Sequence, residues 1–504
     1  MYTVRLAIKT SPYDEQYFNK CFYFGWQISN QIRRHVIAKL NLLTSMKDYQ
    51  IARRQYGKKF AGKDARKLSK EEKQERARLI ACMKECQSRF PISESELKHY
   101  AIVGRRQYSN YLSAHQAQWI ASQVYKSVQK YLYSNGKQIH FKRIVQFNTI
   151  GQCCATNGVV MQGWYKMRMN KKIFRLRVPD TPYMHAVMEK NDRVVVVSLK
   201  RIEFKSGWKY YVIVTLDGDP PVMHNKGENN RVGIDLGTST VAAESSNGVT
   251  LENLAPDASR YEQQIKHLQA MIDHKLRVAN PDNYDATGKI RKGHKSWKIS
   301  KTVRRMKRQV RVLYRQQTAC TRTSHRTQIN RILSQASFVA IEPMSFKSLQ
   351  KKTKKTERSD KVSKIVKSDG TEVLVRKYRR KKRFGHSIKN RSPGFFQSEL
   401  KRKAELMDIP VIAINTKEYK ASQLHHDTGE YIPAGLNERY KTIADHQVQR
   451  DLYSAFLIRH TDESLCRPDF EACNKDFQHF VALQDALLSE MRANKISNIP
   501  CWGF

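Results

Sequence analysis

The chain has 504 residues, 40% of them hydrophobic, which is enough for several domains with apolar cores and excludes a wholly disordered protein. Lysine and arginine number 92 against 46 acidic residues, so the formal net charge is +46. Self-repulsion on this scale favours a polyanionic partner, and nucleic acid is the expected one. No apolar run reaches the length of a membrane span, and nine scattered cysteines do not suggest a disulfide framework. We expect a protein of the cytoplasm or nucleoid, with no membrane partner.

The first part of the chain predicts a helical lobe over residues 15–135, after a short strand in residues 1–14. Apolar residues recur at helical spacing over 18–40. Ser69 and Glu72 form a capping-box pattern at the start of a further helix. Lysine and arginine are frequent between these apolar positions, which indicates a basic, solvated surface.

Residues 136–228 change to short alternating runs that are typical of strands. The runs are "KQIHFKRIVQF" (137–147), "RVVVVSLKRIEF" (193–204) and "KYYVIVTL" (209–216), separated by Gly, Asn and Pro clusters. We predict a small β domain here. The polar segment "HNKGENN" is a suitable linker between this domain and the second half of the chain.

The next stretch, "RVGIDLGTST" (231–240), is an apolar strand that contains Asp235 and runs into a Gly-Thr-Ser turn. Actin-like ATPases begin their nucleotide site in this way, and nucleases of the RNase H type begin their metal site in this way. The ATPase alternative requires a second glycine-rich phosphate loop. Its nearest candidate, residues 368–371 ("SDGT"), has one glycine and no clear preceding strand.

The nuclease alternative requires further acidic residues, because two Mg²⁺ ions must be held by carboxylate oxygens. Glu342 ends the apolar run "FVAIE", and Asp451 starts a predicted amphipathic helix in "HQVQRDLYSAFLI". An Asp at the end of one strand, a Glu at the end of another and an Asp on a helix therefore follow one another in the chain. This combination favours a nuclease metal site.

Other local patterns complete the second half of the chain. Asn247-Gly248 predicts a hairpin turn, and Ser392-Pro393 predicts the N-cap and first residue of a helix. Residues 347–391 are basic and poor in apolar residues, so they form either a solvated loop or an insertion that follows phosphates. Both alternatives remain open for this insertion.

Taken together, these segments resemble the TnpB nucleases of insertion sequences and the related compact type V CRISPR effectors. "GIDLGTSTVAA", "FVAIEPMS" and "QRDLYSAF" are similar to the three RuvC motifs of that family. "KYYVIVTLDGDPP" and "SPGFFQSELKRKAEL" are also similar to family segments. The motifs cover most of residues 195–460, whereas residues 1–195 match only in layout.

The resemblance implies an α/β multidomain protein. Residues 229–504 would form an RNase H-like RuvC nuclease domain, which includes the basic insertion and a target-nucleic-acid-binding loop at 415–442. Residues 1–14 and 136–228 would form a β-barrel wedge domain. Residues 15–135 would form an α-helical recognition lobe.

The same resemblance implies an RNA-guided, Mg²⁺-dependent DNA endonuclease of a prokaryote. Asp235, Glu342 and Asp451 would be the catalytic metal ligands for two Mg²⁺ ions, and Arg439 would lie near the scissile phosphate. The partners would be a guide RNA and a double-stranded target DNA with a short flanking motif, bound by a monomer or a dimer. A basic channel for an RNA–DNA heteroduplex suits the charge of the chain.

The family pattern is broken at the zinc ribbon, which relatives carry between the second and third motifs. The corresponding segment here has no cysteine, and His425 with His426 supply only two of the four usual ligands. We therefore expect no zinc and a loop that keeps its shape by packing. Cys473 falls on the apolar stripe of a C-terminal helix, so we predict a core cysteine there.

Two alternatives remain beside the guided nuclease. One is a guided DNA-binding protein that does not cut, and the other is an unguided RuvC-type transposase or resolvase. Transposon-encoded and CRISPR-encoded members of the family share these motifs, so the residues do not separate the two origins.

Overall fold

A computed structural model describes residues 1–60, 68–133, 136, 138–156, 158–223, 226–285, 288–293, 295–350, 358–366, 372–378, 385–433, 435 and 438–494. The chain divides into two compact units, Met1–Pro221 and Val222–Phe504. Both combine helices with β-sheet, so the expected mixed α/β, multidomain class is confirmed. None of the helices in these ranges is long and apolar enough to cross a membrane.

The first unit contains a seven-stranded antiparallel sheet with the order β2-β6-β7-β1-β5-β4-β3. The first strand of the chain therefore lies in the middle of this sheet, between β7 and β5. Its side chains alternate between buried and exposed, which leaves one face in the core. Closure of the sheet into a barrel stays a prediction. The strands are β1 (Tyr2–Ile8), β2 (Thr149–Ile150), β3 (Val159–Met161), β4 (Lys166–Met169), β5 (Lys172–Arg177), β6 (Val194–Phe204) and β7 (Gly207–Leu216).

Six helices accompany this sheet in the part of the unit that the structure describes, and hydroxyl side chains cap the starts of most of them. Ser11 and Asp14 close a capping box at the start of α1, and Ser69 and Glu72 close the predicted one at the start of α3. The helices are α1 (Pro12–Ser45), α2 (Lys47–Lys59), α3 (Lys70–Ser88), α4 (Glu94–Arg105), α5 (Ala114–Tyr133) and α6 (Pro182–Lys190). One apolar core joins them to the buried face of the sheet.

One predicted strand of this unit is wrong. Residues 138–143 have no regular structure, and Ile144–Gln146 form a short 3-10 turn. The cause is that side chains of α1 bond the backbone at Lys142, where a strand would need a neighbouring strand. The two later runs do form strands, β6 and β7.

The second unit is built on a five-stranded sheet with the order β10-β9-β8-β11-β14. β8, β9 and β10 are antiparallel neighbours, whereas β11 and β14 run parallel to β8. The predicted hairpin is confirmed, but its two turn residues are Ser246 and Asn247, one position earlier than predicted, because Gly248 already pairs with Ser245. The strands of this sheet are β8 (Arg231–Leu236), β9 (Thr240–Ser245), β10 (Gly248–Asn253), β11 (Phe338–Ile341) and β14 (Val411–Ala413).

Helices cover both faces of this sheet and create two cores. One core joins the sheet to α8 and α11, and the other joins it to α13 and α14. Cys473 is fully buried in the second core, as predicted. The helices are α7 (Ser259–Ala279), α8 (Lys301–Leu333), α9 (Phe346–Leu349), α10 (Gly385–Arg391), α11 (Pro393–Leu406), α12 (Thr416–Tyr419), α13 (Arg450–Arg459) and α14 (Phe470–Ala493).

One helix prediction in this unit is wrong. α13 is not amphipathic, since every residue from Leu452 to Ile458 is buried between the sheet and α14. Ser392 and Pro393 occupy the predicted N-cap and first positions of α11, but the Ser392 backbone has φ 49° and its hydroxyl makes no cap hydrogen bond. An N-cap residue needs extended backbone to aim its side chain at the first turn, and a left-handed residue does not provide it.

The basic insertion contains a two-stranded antiparallel hairpin of β12 (Arg358–Val366) and β13 (Glu372–Tyr378). A second small hairpin, β15 (Tyr440–Ile443) and β16 (His446–Gln449), leads into α13. The candidate phosphate loop at 368–371 lies outside the described residues.

Candidate acidic active site

The parallel pairing of β8 and β11 brings two of the predicted acids together. Ile234 on β8 is paired with Ile341 on β11, and the Glu342 N–H donates to the Ile234 carbonyl at 3.2 Å. Asp235 and Glu342 each follow one of these paired isoleucines. They therefore occupy neighbouring positions where the two strands end, and both are half-buried.

The third acid arrives on α13, which lies directly on β8. A Cβ atom on Gly233 would stand 2.1 Å from the Ala455 carbonyl oxygen and 2.4 Å from the Arg459 nitrogen. Only glycine allows the helix backbone to approach the strand so closely. Asp451 is the second residue of this helix and faces the end of β8 where Asp235 lies.

The start of α13 is fixed by two glutamines. The side-chain oxygen of Gln449 accepts from the Leu452 N–H at 2.8 Å, and the Gln449 N–H donates to Gln484 Oε1 at 2.6 Å. Both glutamines are fully buried. Asp451 then falls in the first helical turn, where the helix dipole favours a negative charge.

The charges of Asp451 and Glu342 both act on Asp235. Burial, and then the charges of Asp451 and Glu342, hold the pKa of Asp235 well above its ordinary value. Burial also raises the pKa of Glu342. The guanidinium of Arg450 opposes the shift at Asp235 but does not cancel it. The site is therefore a cluster of acids with a shortage of positive charge.

Arg450 belongs to this site but is not among the residues predicted from the sequence. Its Nε lies 3.5 Å from Asp451 Oδ1, and its Nη1 donates to the carbonyls of Gly435 and Glu438 at 3.2 Å each. The side chain is 13% exposed, so its charge acts in a partly desolvated place. The signal that could have identified Arg450 from the sequence was its position directly before Asp451 in "QRDLYSAF".

Arg439 is brought to the same place by the small hairpin. β15 and β16 pair Tyr440 with Gln449, and the Arg450 N–H donates to the Arg439 carbonyl at 2.9 Å. Arg439 is therefore the neighbour of the residue that precedes Asp451. Its side chain is half-exposed, and its role at a phosphate stays a prediction.

The loop before this hairpin is held by packing in its described part. The Tyr419 hydroxyl donates to the Leu457 carbonyl at 2.5 Å, and the His426 N–H donates to the Tyr453 hydroxyl oxygen at 3.0 Å. The His426 ring also lies 4.7 Å from that of Phe477. Both partners of the loop, α13 and α14, belong to the core beside the acids. The absence of zinc stays a prediction.

The acids are near one another without forming a ready metal cage. Within the described ranges, no group of three or more His, Cys, Asp or Glu side chains already has metal-binding geometry. What the fold provides is three carboxylates at one end of the sheet, in a partly buried place with unbalanced negative charge.

Comparison with known proteins gives weak similarities only. No protein-family model and no curated protein matches the chain. Among solved structures, it is similar to a chain in a cryo-EM structure of a Cas12f1–sgRNA–target DNA complex, with a TM-score of 0.39, 11% identity, and coverage of 90% of this chain and 97% of that chain. A cryo-EM structure of a CRISPR–Cas12f ternary complex gives a TM-score of 0.23, 11% identity, and coverage of 90% and 98%. Both TM-scores are below 0.5, so these similarities do not establish a function.

Proposed function

We propose that this protein is an RNA-guided DNA endonuclease that cuts phosphodiester bonds at the site formed by Asp235, Glu342 and Asp451. In this proposal the second unit is an RNase H-like RuvC nuclease domain. The first unit comprises a recognition lobe and a wedge domain, which bind the guide RNA and the flanking motif of the target. The motif resemblance over residues 195–460 supports the same assignment.

One observation carries the proposal: two carboxylates at paired positions of parallel strands, with a third on the helix packed over them. Structural acids in proteins are normally paired with cations, because a buried uncompensated charge destabilises the fold. Here burial and the charges of Asp451 and Glu342 raise the pKa of Asp235, and Arg450 compensates only in part. Perturbed acids at the end of a sheet are typical of functional sites.

The donor set fits Mg²⁺. Hard divalent cations prefer carboxylate oxygens, and a cation among Asp235, Glu342 and Asp451 would relieve their mutual repulsion. These three residues would hold the metal. When bound, Mg²⁺ would supply an activated water and neutralise charge at the phosphate.

The protein's own cations have a complementary role. Arg450, and Arg439 beside it, would orient the phosphate of the substrate strand against the acids. Arginine suits this role because its planar fork of donors matches phosphate oxygens. The arginines also limit the repulsion between the acids and the incoming polyanion.

The overall charge supports a polynucleotide substrate and a bound guide. A chain with a net charge of +46 neutralises many phosphates, and this suits a heteroduplex recognised through its backbone. The proposal therefore assigns sequence selection to base pairing. It leaves the protein only a short flanking motif to recognise.

The experiment is to express the protein with its native flanking DNA, purify it through high salt and sequence the RNA that stays bound. The complex is then tested for cleavage of double-stranded DNA that matches the variable end of that RNA, with Mg²⁺ and with EDTA. We expect one structured RNA and Mg²⁺-dependent cleavage. Single alanine variants of Asp235, Glu342 and Asp451 should still bind target DNA but should not cut it.

The matched control is Asp273→Ala, which removes an exposed acid on α7. This variant should cut at the wild-type rate. Target binding without cleavage by the wild-type complex would favour the guided binding protein. Cleavage that does not require RNA would favour the unguided transposase or resolvase.

A further inference from the structure

Residues 138–143 of the first unit lack regular structure, yet their backbone is held rigidly by one face of α1. Trp26, Asn30 and Arg33 stand at positions i, i+4 and i+7 of that helix and so share a face. Trp26 Nε1 donates to the Lys142 carbonyl at 2.6 Å, and Asn30 Nδ2 donates to the same oxygen at 2.9 Å. The Lys142 N–H donates to Asn30 Oδ1 at 3.0 Å.

A fourth hydrogen bond fixes the backbone at His140. Arg33 Nη1 donates to the His140 carbonyl at 3.2 Å, and Arg33 is only 4% exposed. Burying a charged guanidinium costs free energy. Here the buried group donates to a backbone carbonyl of a segment without regular structure. The helix thus sets the conformation of both residues that flank Phe141.

The side chains of the segment separate into anchors and one exposed ring. Ile139 is buried in the core, and Lys142 Nζ lies 5.9 Å from the centre of the buried Phe147 ring. Phe141, between them, is 53% exposed, and it takes part in none of the ring or cation–π contacts found in the described part of the chain. Single exposed apolar residues are common. In this segment, however, hydrogen bonds from α1 hold the backbone on both sides of the exposed ring.

The surroundings of the ring are basic. His140 and Arg143 are exposed on either side of it, and residues 136–151 contain no acid. An aromatic ring presented among cations is the combination that binds unpaired nucleic acid, because the ring stacks on a base and the cations contact phosphates. A fixed backbone adds to this, since little conformational entropy is lost on binding.

We propose that Phe141 is a stacking platform for an unpaired nucleobase and that Arg143 contacts a neighbouring phosphate. The inference rests on the proposed function only for the nature of the partner, a nucleic acid. It does not involve the acids of the second unit. The base could belong to the guide RNA or to a displaced DNA strand, and a binding experiment with both kinds of strand separates these sources.

The test measures binding by the RNA-free, full-length protein in EDTA. The probes are fluorescent dT and U oligonucleotides of about 16 nucleotides, near the upper site size of a single-strand binding fold, and a DNA duplex of similar length. Fluorescence anisotropy gives the affinity of wild type, Phe141→Ala, Phe141→Leu, Phe141→Trp and Arg143→Ala over a range of salt concentrations. Tyr13→Ala is the matched control, because Tyr13 is an aromatic residue of the same unit with 83% exposure.

We expect Phe141→Ala and Phe141→Leu to weaken single-strand binding about tenfold, the effect of losing one stacked base. Phe141→Trp should stay close to wild type, and binding of the duplex should be unaffected because its bases are already stacked. The salt dependence should be unchanged in the Phe141 variants, whereas Arg143→Ala should reduce the slope by about one. A larger loss with U than with dT would assign the base to RNA, and the reverse would assign it to DNA.

Three results would overturn the inference: wild-type affinity of Phe141→Ala for both single strands, full rescue by leucine, or an equal loss with the duplex. Melting temperatures of the free proteins check that no variant is unfolded. EDTA prevents metal-dependent cleavage, so the binding result can be interpreted even if the protein is not a nuclease. A negative result at Phe141 would likewise not affect the proposal for the acids.

Discussion

The two ends of α13 hold carboxylates that differ in how closely cations bond them. At its first turn, Asp451 meets Asp235 and Glu342, and the acids outnumber the nearby cation. At its last turn, Arg459 Nη1 lies 2.9 Å from Glu244 Oε1, and its Nη2 lies 3.2 Å from Asp476 Oδ2. The two sites are separated by one ten-residue helix, about 15 Å long.

The comparison contrasts carboxylates that we propose as metal ligands with carboxylates that fasten the helix to the sheet. Glu244 is 1% exposed, and it uses its ion pair to fasten the helix to β9. His460 Nε2 lies 3.0 Å from Asp476 Oδ2, which adds a further group to this network. Among the described residues, the cation bonded to an acid at the other end is Arg450, whose Nε lies 3.5 Å from Asp451 Oδ1. We infer that the network around Arg459 holds α13 in place, and that the position of Asp451 at the other end of the helix depends on this.

The largest expected effect concerns Asp235. Asp235→Asn should lower the cleavage rate by on the order of 10³-fold or more, because residues of one catalytic site act together. The same variant should be more stable than wild type, since burial and the charges of Asp451 and Glu342 disfavour the ionised form of Asp235. Single-turnover cleavage and urea denaturation measure the two effects. A variant that is both inactive and less stable would contradict the contrast between the two ends.

The second prediction concerns Glu244. Glu244→Ala should lower the free energy of unfolding by about 1 to 3 kcal/mol, because it removes a buried carboxyl group that bonds Arg459 and leaves the guanidinium with Asp476. The control is Asp273→Ala, which breaks an exposed pair on α7 and should change stability by less than about 0.5 kcal/mol. Equal effects in the two variants would remove the structural role assigned to this network.

Glu244 also predicts a pH dependence. Burial, only partly offset by Arg459, raises its pKa from 4.5 to about 8. The folded protein therefore binds a proton that the unfolded chain releases, and this contribution to stability falls as the pH rises from about 4.5 to about 8. Glu244→Gln should remove that part of the slope. The test is the difference between the unfolding free energies of variant and wild type across this pH range.

A third prediction concerns the contact that lets α13 reach the sheet. Gly233→Ala should destabilise the protein by about 3 kcal/mol, the upper range for an overpacked core, because the added methyl meets helix backbone. It should also reduce cleavage, since a displaced helix moves Asp451. Gly248→Ala is the matched control in the same sheet, where an added Cβ meets nothing within 4 Å. Similar melting temperatures for the two variants would show that the close approach is unimportant.

The smallest effect is expected at Lys441. Its side chain is 9% exposed, its Nζ has no hydrogen-bond partner among the described residues, and burial together with nearby Arg450 lowers its pKa to about 8. Lys441→Met should therefore stabilise the protein at neutral pH by about 1 to 2 kcal/mol. The gain should shrink as the pH rises above about 8, where the wild-type amine is already neutral. A loss of stability would indicate that the amine has a partner on the folded protein.

The acids could be predicted from the sequence because each follows a local signal. Asp235 and Glu342 end apolar runs, and Asp451 opens a helix after "HQVQ". Strand ends and helix starts depend on short-range patterns of side chains, which a single sequence displays directly. The role of Arg450 could not be predicted in this way. Its importance depends on which charges lie near it in space.

The strand predicted over 137–147 shows the limit of such patterns. Alternation of apolar and polar residues favours a strand, but a strand forms only where a neighbour offers backbone groups. Side chains of Trp26, Asn30 and Arg33 supply those groups instead, from a helix more than a hundred positions earlier. The complete burial of α13 could not be predicted from the sequence for a similar reason. Burial on all its sides depends on β8 and α14, which are distant in sequence.

The sequence by itself determined the type of most elements, the order of the three acids and the expectation of a polyanionic partner, because these follow from periodicity and charge. Only the tertiary structure decided that parallel pairing sets Asp235 beside Glu342 and that Gly233 admits the helix bearing Asp451. Only the folded chain decided which carboxylates keep a cation and which do not. Pairing, close approach and desolvation arise between residues far apart in the chain, and a linear pattern does not contain them.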